Sequence, residues 1–183
     1  MRAVVLVEGV SDQRALETLA RRRGRDLARN GVTIVPMGGA TNIRAYLERY
    51  GPGGLDVTLA GLFDVGEIDD FRRALERAGC GAVPDRDALE DRGFYACDTD
   101  LEDELIRALG VEAVEAIVQE AGEMRAFRTM QKQPAQLGRT TAAQLHRFIG
   151  SKSGRKARYA SLMVDALDLT NVPRPLDRVL ARV

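Results

Sequence analysis

The chain has 183 residues, 45% of them hydrophobic and 30% charged, with 27 basic residues against 27 acidic ones. That composition describes an ordinary soluble protein, long enough for one full core and a small appendage. It excludes a membrane partner, because no apolar run approaches the roughly 20 residues that a span needs.

The chain enters a strand at once, so no signal peptide is expected. Cys80 and Cys97 are too few for a disulfide framework, and one histidine, His146, cannot supply a zinc site of standard spacing. A cytoplasmic location is expected.

Val4-Val5-Leu6-Val7 reads as a strand buried on both faces, and the run breaks at Glu8-Gly9. A helix follows from about Ser11, a good N-cap, with Ala15, Leu16, Leu19 and Ala20 on one side. Glu8 therefore sits at the carboxyl end of a central strand and Asp12 in the first helical turn. In open α/β sheets that crevice is where ligands bind. Two carboxylates there repel each other, and a cation between them resolves the repulsion. An aspartate that only complements the helix dipole beside an ordinary surface glutamate would read the same way.

After the Asn30-Gly31 turn, Val32 to Pro36 is a second buried strand. Gly38 and Gly39 follow, then a helix through Ile43, Tyr46, Leu47 and Tyr50. Paired glycines before a helix let backbone approach a ligand, and the helix start favours an anion, although many such loops only turn the chain. Val57 to Phe63 is a third strand closed by Asp64, and a helix runs from about Ile68 to Ala78. Residues 79–92 read as a polar connection and Phe94 to Cys97 as a short fourth strand. Helices follow from Leu101, from Val111 and, past Met124, in a basic stretch interrupted by Pro134 and by Gly150 to Gly154. A last helix spans Arg155 to about Leu167, and Pro173 and Pro175 introduce a short tail.

The order β-α-β-α-β-α-β-α with short connections predicts an α/β fold. Its core is a Rossmann-like parallel sheet of about four strands flanked by helices, with a helical C-terminal extension. The expected division is a metal-binding domain at 1–122 and a basic helical extension at 123–183.

Three of the four strands end in acid: Glu8, Asp64, and the run Asp98, Asp100 and Glu102. In a parallel sheet those ends share one edge, so carboxylates far apart in sequence converge. Oxygen-only donors, without histidine or thiolate, suit Mg2+ or Mn2+ rather than zinc, and such cations serve phosphate chemistry. Charge is distributed accordingly. Asp85 to Glu104 holds nine acidic residues against two arginines, whereas Arg125 to Arg158 holds nine basic residues and no acidic one. A metal site beside a polyanion track needs such a pattern, and two solvated faces that pair with each other would also produce it.

These residues resemble a Toprim domain, the metal-binding fold of topoisomerases, bacterial primases, small RNA-maturing nucleases and the overcoming-lysogenization-defect (OLD) nucleases. The OLD branch is the most similar. The shared stretches are Val7 to Asp12, the Gly38-Gly39 loop, Asp100 to Leu105, and Lys156-Ala157-Arg158-Tyr159-Ala160. The resemblance spans nearly the whole chain. It implies a Mg2+- or Mn2+-dependent DNA endonuclease in which Glu8, Asp12 and Asp64 hold one cation, and Asp64, Asp100 and Glu102 hold or orient a second. It also implies that Lys156 offsets charge at the scissile phosphate, with Lys152 as runner-up. Gly38, Gly39, Lys152, Arg155 and Arg158 are then candidate contacts to the DNA backbone. For Lys152, Arg155 and Arg158 a solvated helix start is the equal alternative.

Two departures bear on that expectation. The usual Asp-x-Asp after the third strand is here Asp64-Val65-Gly66, so Glu67, or Asp98 with Asp100, would have to fill the gap. These 183 residues hold no P-loop, so the expectation is either an excised or stand-alone nuclease domain or one whose ATPase is a separate chain. The alternatives are a non-catalytic Toprim module that binds nucleic acid or a partner ATPase, and an RNA-processing nuclease. Action as a homodimer stays open.

Overall fold

Alternate residues of the first strand, β1 (Ala3–Val7), enter two different cores, and this dictates how the sheet is covered. The computed structural model describes residues 1–152 and 154–183; Ser153, in the break read between two helices, lies outside them. Ala3, Val5 and Val7 join one apolar cluster, and Val4 and Leu6 join another. A strand with no polar face must be covered on both sides, and its continuous apolar run follows from that.

The other strands are β2 (Val32–Pro36), β3 (Thr58–Asp64) and β4 (Phe94–Cys97). They form one sheet in the order β2-β1-β3-β4, and every pairing is parallel. Gly61 on β3 is required by its neighbour, since a Cβ there would lie 2.5 Å from the Phe94 ring. The expected α/β architecture is the observed one.

Helices cover the two faces unequally. On one side lie α2 (Ile43–Tyr50), α3 (Ile68–Arg77) and α4 (Arg86–Asp91). On the other lie α1 (Val10–Arg22), α5 (Leu101–Leu109) and α6 (Val111–Glu120). The same side carries α7 (Met124–Gln131), α8 (Thr141–Gly150), α9 (Arg155–Ala166) and α10 (Arg174–Arg182). One apolar cluster therefore runs from Val5 and Val7 through Leu16 and Leu19 to Tyr159, Met163 and Val179.

Three local expectations change. The polar connection 79–92 contains α4, whose N-cap Asp85 accepts a hydrogen bond from the Ala88 N–H at 2.9 Å. The tail after Pro173 is the helix α10, which buries Leu176, Val179 and Leu180. The N-cap of α1 is Gly9 rather than Ser11, and Asp12 accepts the Gly9 N–H at 2.8 Å.

Arginines near the end of α1 bind the far ends of the last two helices. Arg22 donates to the carbonyls of Val164 and Leu167, each at 2.7 Å, and Arg25 donates to those of Leu180 and Val183. Such bonds satisfy helix carbonyls that lack an intrahelical partner. Because α1 and α9 both begin at the carboxyl edge of the sheet, this clamp holds them side by side in the same direction.

Candidate metal centre

The strand register brings the acidic residues to one place. Val7 pairs with Leu62 and Asp64 pairs with Cys97, so Glu8, Asp64 and the Asp98–Glu102 segment leave the sheet along a common edge. Glu8 Oε1 accepts the Asp64 N–H at 2.9 Å, which ties the ends of β1 and β3 together. Glu8, Asp12, Asp64 and Lys156 line a cleft of about 350 Å³ together with Gly9, Gly39 and Gly154. A larger groove of about 860 Å³ runs between α1 and the edge strand β2, away from this carboxylate cluster.

The electrostatics show a shortage of positive charge. Burial, then the charges of Glu8, Asp12 and Asp100, push the Asp64 carboxyl up to about 7. Burial raises Asp12 to about 6, against the opposing Gly9 hydrogen bond and Lys156. Glu102 is 2% exposed, and burial lifts its carboxyl above the usual range although Lys156 Nζ lies 3.0 Å from its Oε2. Its other oxygen, Oε1, is buried without a hydrogen-bond partner. Burial opposes the charge on Lys156, but Glu102, Asp12 and Asp100 outweigh it and hold the ammonium above its ordinary value.

Asp100 caps α5. Its Oδ1 accepts the Asp103 N–H at 2.9 Å and its Oδ2 lies 2.6 Å from His146 Nε2. Burial would raise this carboxyl, but those two bonds hold it below the usual range, and the same bond holds His146 above its own. Asp100, Glu102 and His146 each offer one donor atom, and the three atoms lie within 4.8 Å of one another.

The donors therefore fit a hard divalent cation. They are mostly carboxylate oxygens, one of them is an orphaned buried oxygen, and the surroundings disfavour the charged form of Asp64, which added positive charge would restore.

Several residues expected at the site have other partners. Asp98 is exposed, pairs with Arg86 at 2.9 Å and does not line the cleft. Its backbone N–H is held by Glu104 Oε1 at 2.8 Å, so Asp98 turns the chain instead of facing Glu8. The Gly38-Gly39 loop takes positive φ, but both its N–H groups donate to the Glu8 carbonyl at 3.0 Å. It therefore positions Glu8, and those two donors are not free for a phosphate. Arg155 is 7% exposed, pairs with Glu123 at 3.0 Å, donates to the Phe148 carbonyl and lies over the Phe148 ring. It packs α9 onto α8. Arg158 is exposed and faces Glu123 and the Ala121 carbonyl, and Lys152 is exposed beyond the end of α8.

His146 was not among the expected site residues. A lone histidine carries no ligand spacing, and its partner Asp100 lies 46 residues away on another helix. Its position on α8 among the buried Leu145, Phe148 and Ile149, while itself partly exposed, was the available signal.

The parallel sheet thus delivers a glutamate from the end of its first strand and an aspartate from the end of its third, and a late helix brings Lys156 into the same cleft. Residues 1–65 match the family model described as the overcoming lysogenization defect protein-like TOPRIM domain. A search of the curated proteins returns no match. Among solved structures, the C-terminal region of the Xanthomonas campestris pv. campestris OLD protein superposes with a TM-score of 0.74 at 22% identity, covering 100% of this chain and 91% of that one. The C-terminal region of the Burkholderia pseudomallei OLD protein gives 0.69 at 24% identity, covering 98% and 95% respectively. The fold of the whole chain is thus that of OLD C-terminal regions. Among the described residues, no helix is long and apolar enough to cross a membrane.

Proposed function

We propose that this protein is a Mg2+- or Mn2+-dependent DNA endonuclease that hydrolyses a phosphodiester at the cleft below β1 and β3. The observation that carries this reading is the convergence of Glu8, Asp12, Asp64, Asp100 and Glu102 on one edge, with Lys156 as their cationic neighbour.

Glu8, Asp12 and Asp64 would hold the cation, and Asp100 and Glu102 would hold or orient a second. Bound there, a divalent cation supplies a nucleophile at neutral pH and neutralises charge on phosphate oxygens. The protein's own contribution is electrostatic. Lys156 is fixed by Glu102 at the rim of the cleft, where its ammonium offsets charge that develops on phosphorus-bound oxygens. The N-termini of α1 and α9 open onto the same cleft and add positive potential for an anion. The basic residues of α7 and α8 would track the backbone, and with 5% aromatic residues and no tryptophan, base stacking would contribute little.

One feature favours a binding module without catalysis: Gly66 stands where a second aspartate is usual, so the first cation has fewer donors on β3's side. Supercoiled plasmid separates the two readings. The nuclease nicks it in Mg2+ or Mn2+, stops in EDTA, and loses nicking in Glu8→Ala, Asp64→Ala and Lys156→Ala while DNA affinity persists. A folded protein that binds plasmid yet nicks in neither cation would refute a nuclease that acts alone. Adding a separate ATPase chain to the same assay tests whether a partner is needed.

A further inference from the structure

We propose that His146 is the nitrogen donor of the second cation position, shared with Asp100 and Glu102, and that it biases this position toward Mn2+ over Mg2+. The inference rests on the metal-dependent reading of the cleft and adds a ligand from outside the acidic set.

Geometry carries the argument. The donor atoms of Asp100, Glu102 and His146 lie within 4.8 Å of one another, although they come from α5 and α8. Bonds of about 2.1 Å place cis donors about 3.0 Å apart and trans donors about 4.2 Å apart, so only small side-chain shifts close the set around an ion. The second observation is Glu102. Its side chain is 2% exposed, Oε2 is committed to Lys156, and Oε1 is buried with no partner. A buried carboxylate oxygen left open costs free energy unless something occupies it. A cation at Oε1 leaves the Lys156 contact in place, so the carboxylate would join the ion to the lysine.

His146 Nε2 and Asp100 Oδ2 are hydrogen-bonded at 2.6 Å, and opening that contact by about 0.4 Å, with loss of the shared proton, turns both atoms toward one ion. The α8 helix holds the ring in place because Leu145, Phe148 and Ile149 on either side of it are buried. Chemistry then sets the preference. Mg2+ favours oxygen and retains water, whereas mixed carboxylate and imidazole sets suit manganese and iron.

His146 is the one histidine of the chain, which makes the test direct. Protein without affinity-tag histidines is titrated with Mn2+ to one and then two equivalents and read by electron spin-echo envelope modulation. Coupling to a coordinated imidazole nitrogen is expected by the second equivalent. His146→Gln should lose that coupling and bind the second Mn2+ about tenfold or more weakly, with a smaller change for Mg2+. Bound Mn2+ without imidazole coupling in the unmutated protein would overturn the assignment and leave the metal-dependent reading standing. Failure of folded protein to bind Mn2+ at all would overturn both. The result in unmutated protein decides the matter even if the variant folds poorly.

Discussion

Replacing Asp64 with asparagine should stabilise the cation-free protein and flatten its response to pH. In the folded state burial and the charge of Glu8 hold this carboxyl at about 7, against an ordinary value of 3.8. Above pH 7 the folded protein keeps a charge that its surroundings disfavour, whereas the unfolded chain bears the same charge in water. Between 3.8 and 7 the folded state binds more protons than the unfolded one, so this group lowers stability as pH rises through that window. Taken at face value the shift corresponds to about 4 kcal/mol at pH 8. Asp64 is only half-buried, and solvent screening reduces this to about 1–2 kcal/mol. Asp64→Asn keeps the backbone N–H that Glu8 accepts, so the local fold stays. Urea melts in EDTA should show the variant more stable by that amount at pH 8 and by about a third of it at pH 5. Saturating Mn2+ should reverse the order, because the unmutated site, with one more carboxylate, gains more binding energy. A variant no more stable than its parent at pH 8 in EDTA would refute the electrostatic account of the cleft.

Two further substitutions examine how the site is supported. Arg155→Met leaves Glu123 without its buried partner and should cost about 3 kcal/mol in a denaturant melt, with the salt dependence of DNA binding unchanged. A weakened salt dependence with unchanged stability would return Arg155 to the DNA surface. Thr99 has φ 88°, a conformation that a β-branched residue adopts only under strain. Thr99→Gly should raise stability by about 1 kcal/mol in thermal melts, and a loss of stability would show that the Thr99 side chain contributes more than its backbone costs.

Much of this structure is legible in the sequence because one physical cause produces both the pattern and the fold. A strand covered on both faces must be apolar throughout, so Val4 to Val7 and Ala60 to Phe63 declare themselves, and the acid that follows each run marks the sheet edge. Glu8 and Asp64 are found that way. Asp98 was not separable from Asp100 by the same rule, since a strand end does not reveal which of two acids faces inward. Their positions depend on Arg86 and His146, from distant segments. Arg155 was grouped with Lys152 and Arg158 by charge, although its spacing to Tyr159 and Met163 places all three on one buried stripe of α9. Periodicity carried more information than charge there. In α10, Leu176, Val179 and Leu180 keep helical spacing, and the prolines that suggested a tail are at home in a first turn.

The parts of the cleft also arrive in a particular order as the chain is synthesised. Every carboxylate of the cluster is made by Glu102, whereas His146 and Lys156 belong to the last third, and the arginines at the end of α1 wait longer still for the ends of α9 and α10. A ribosome-bound intermediate can thus gather its acids yet lacks the residue that would act on phosphate. The apolar side of α1 stays bare in that intermediate until α9 docks. On the nuclease reading, hydrolytic competence follows from finished folding, and a half-made chain is harmless to the nucleic acids around it.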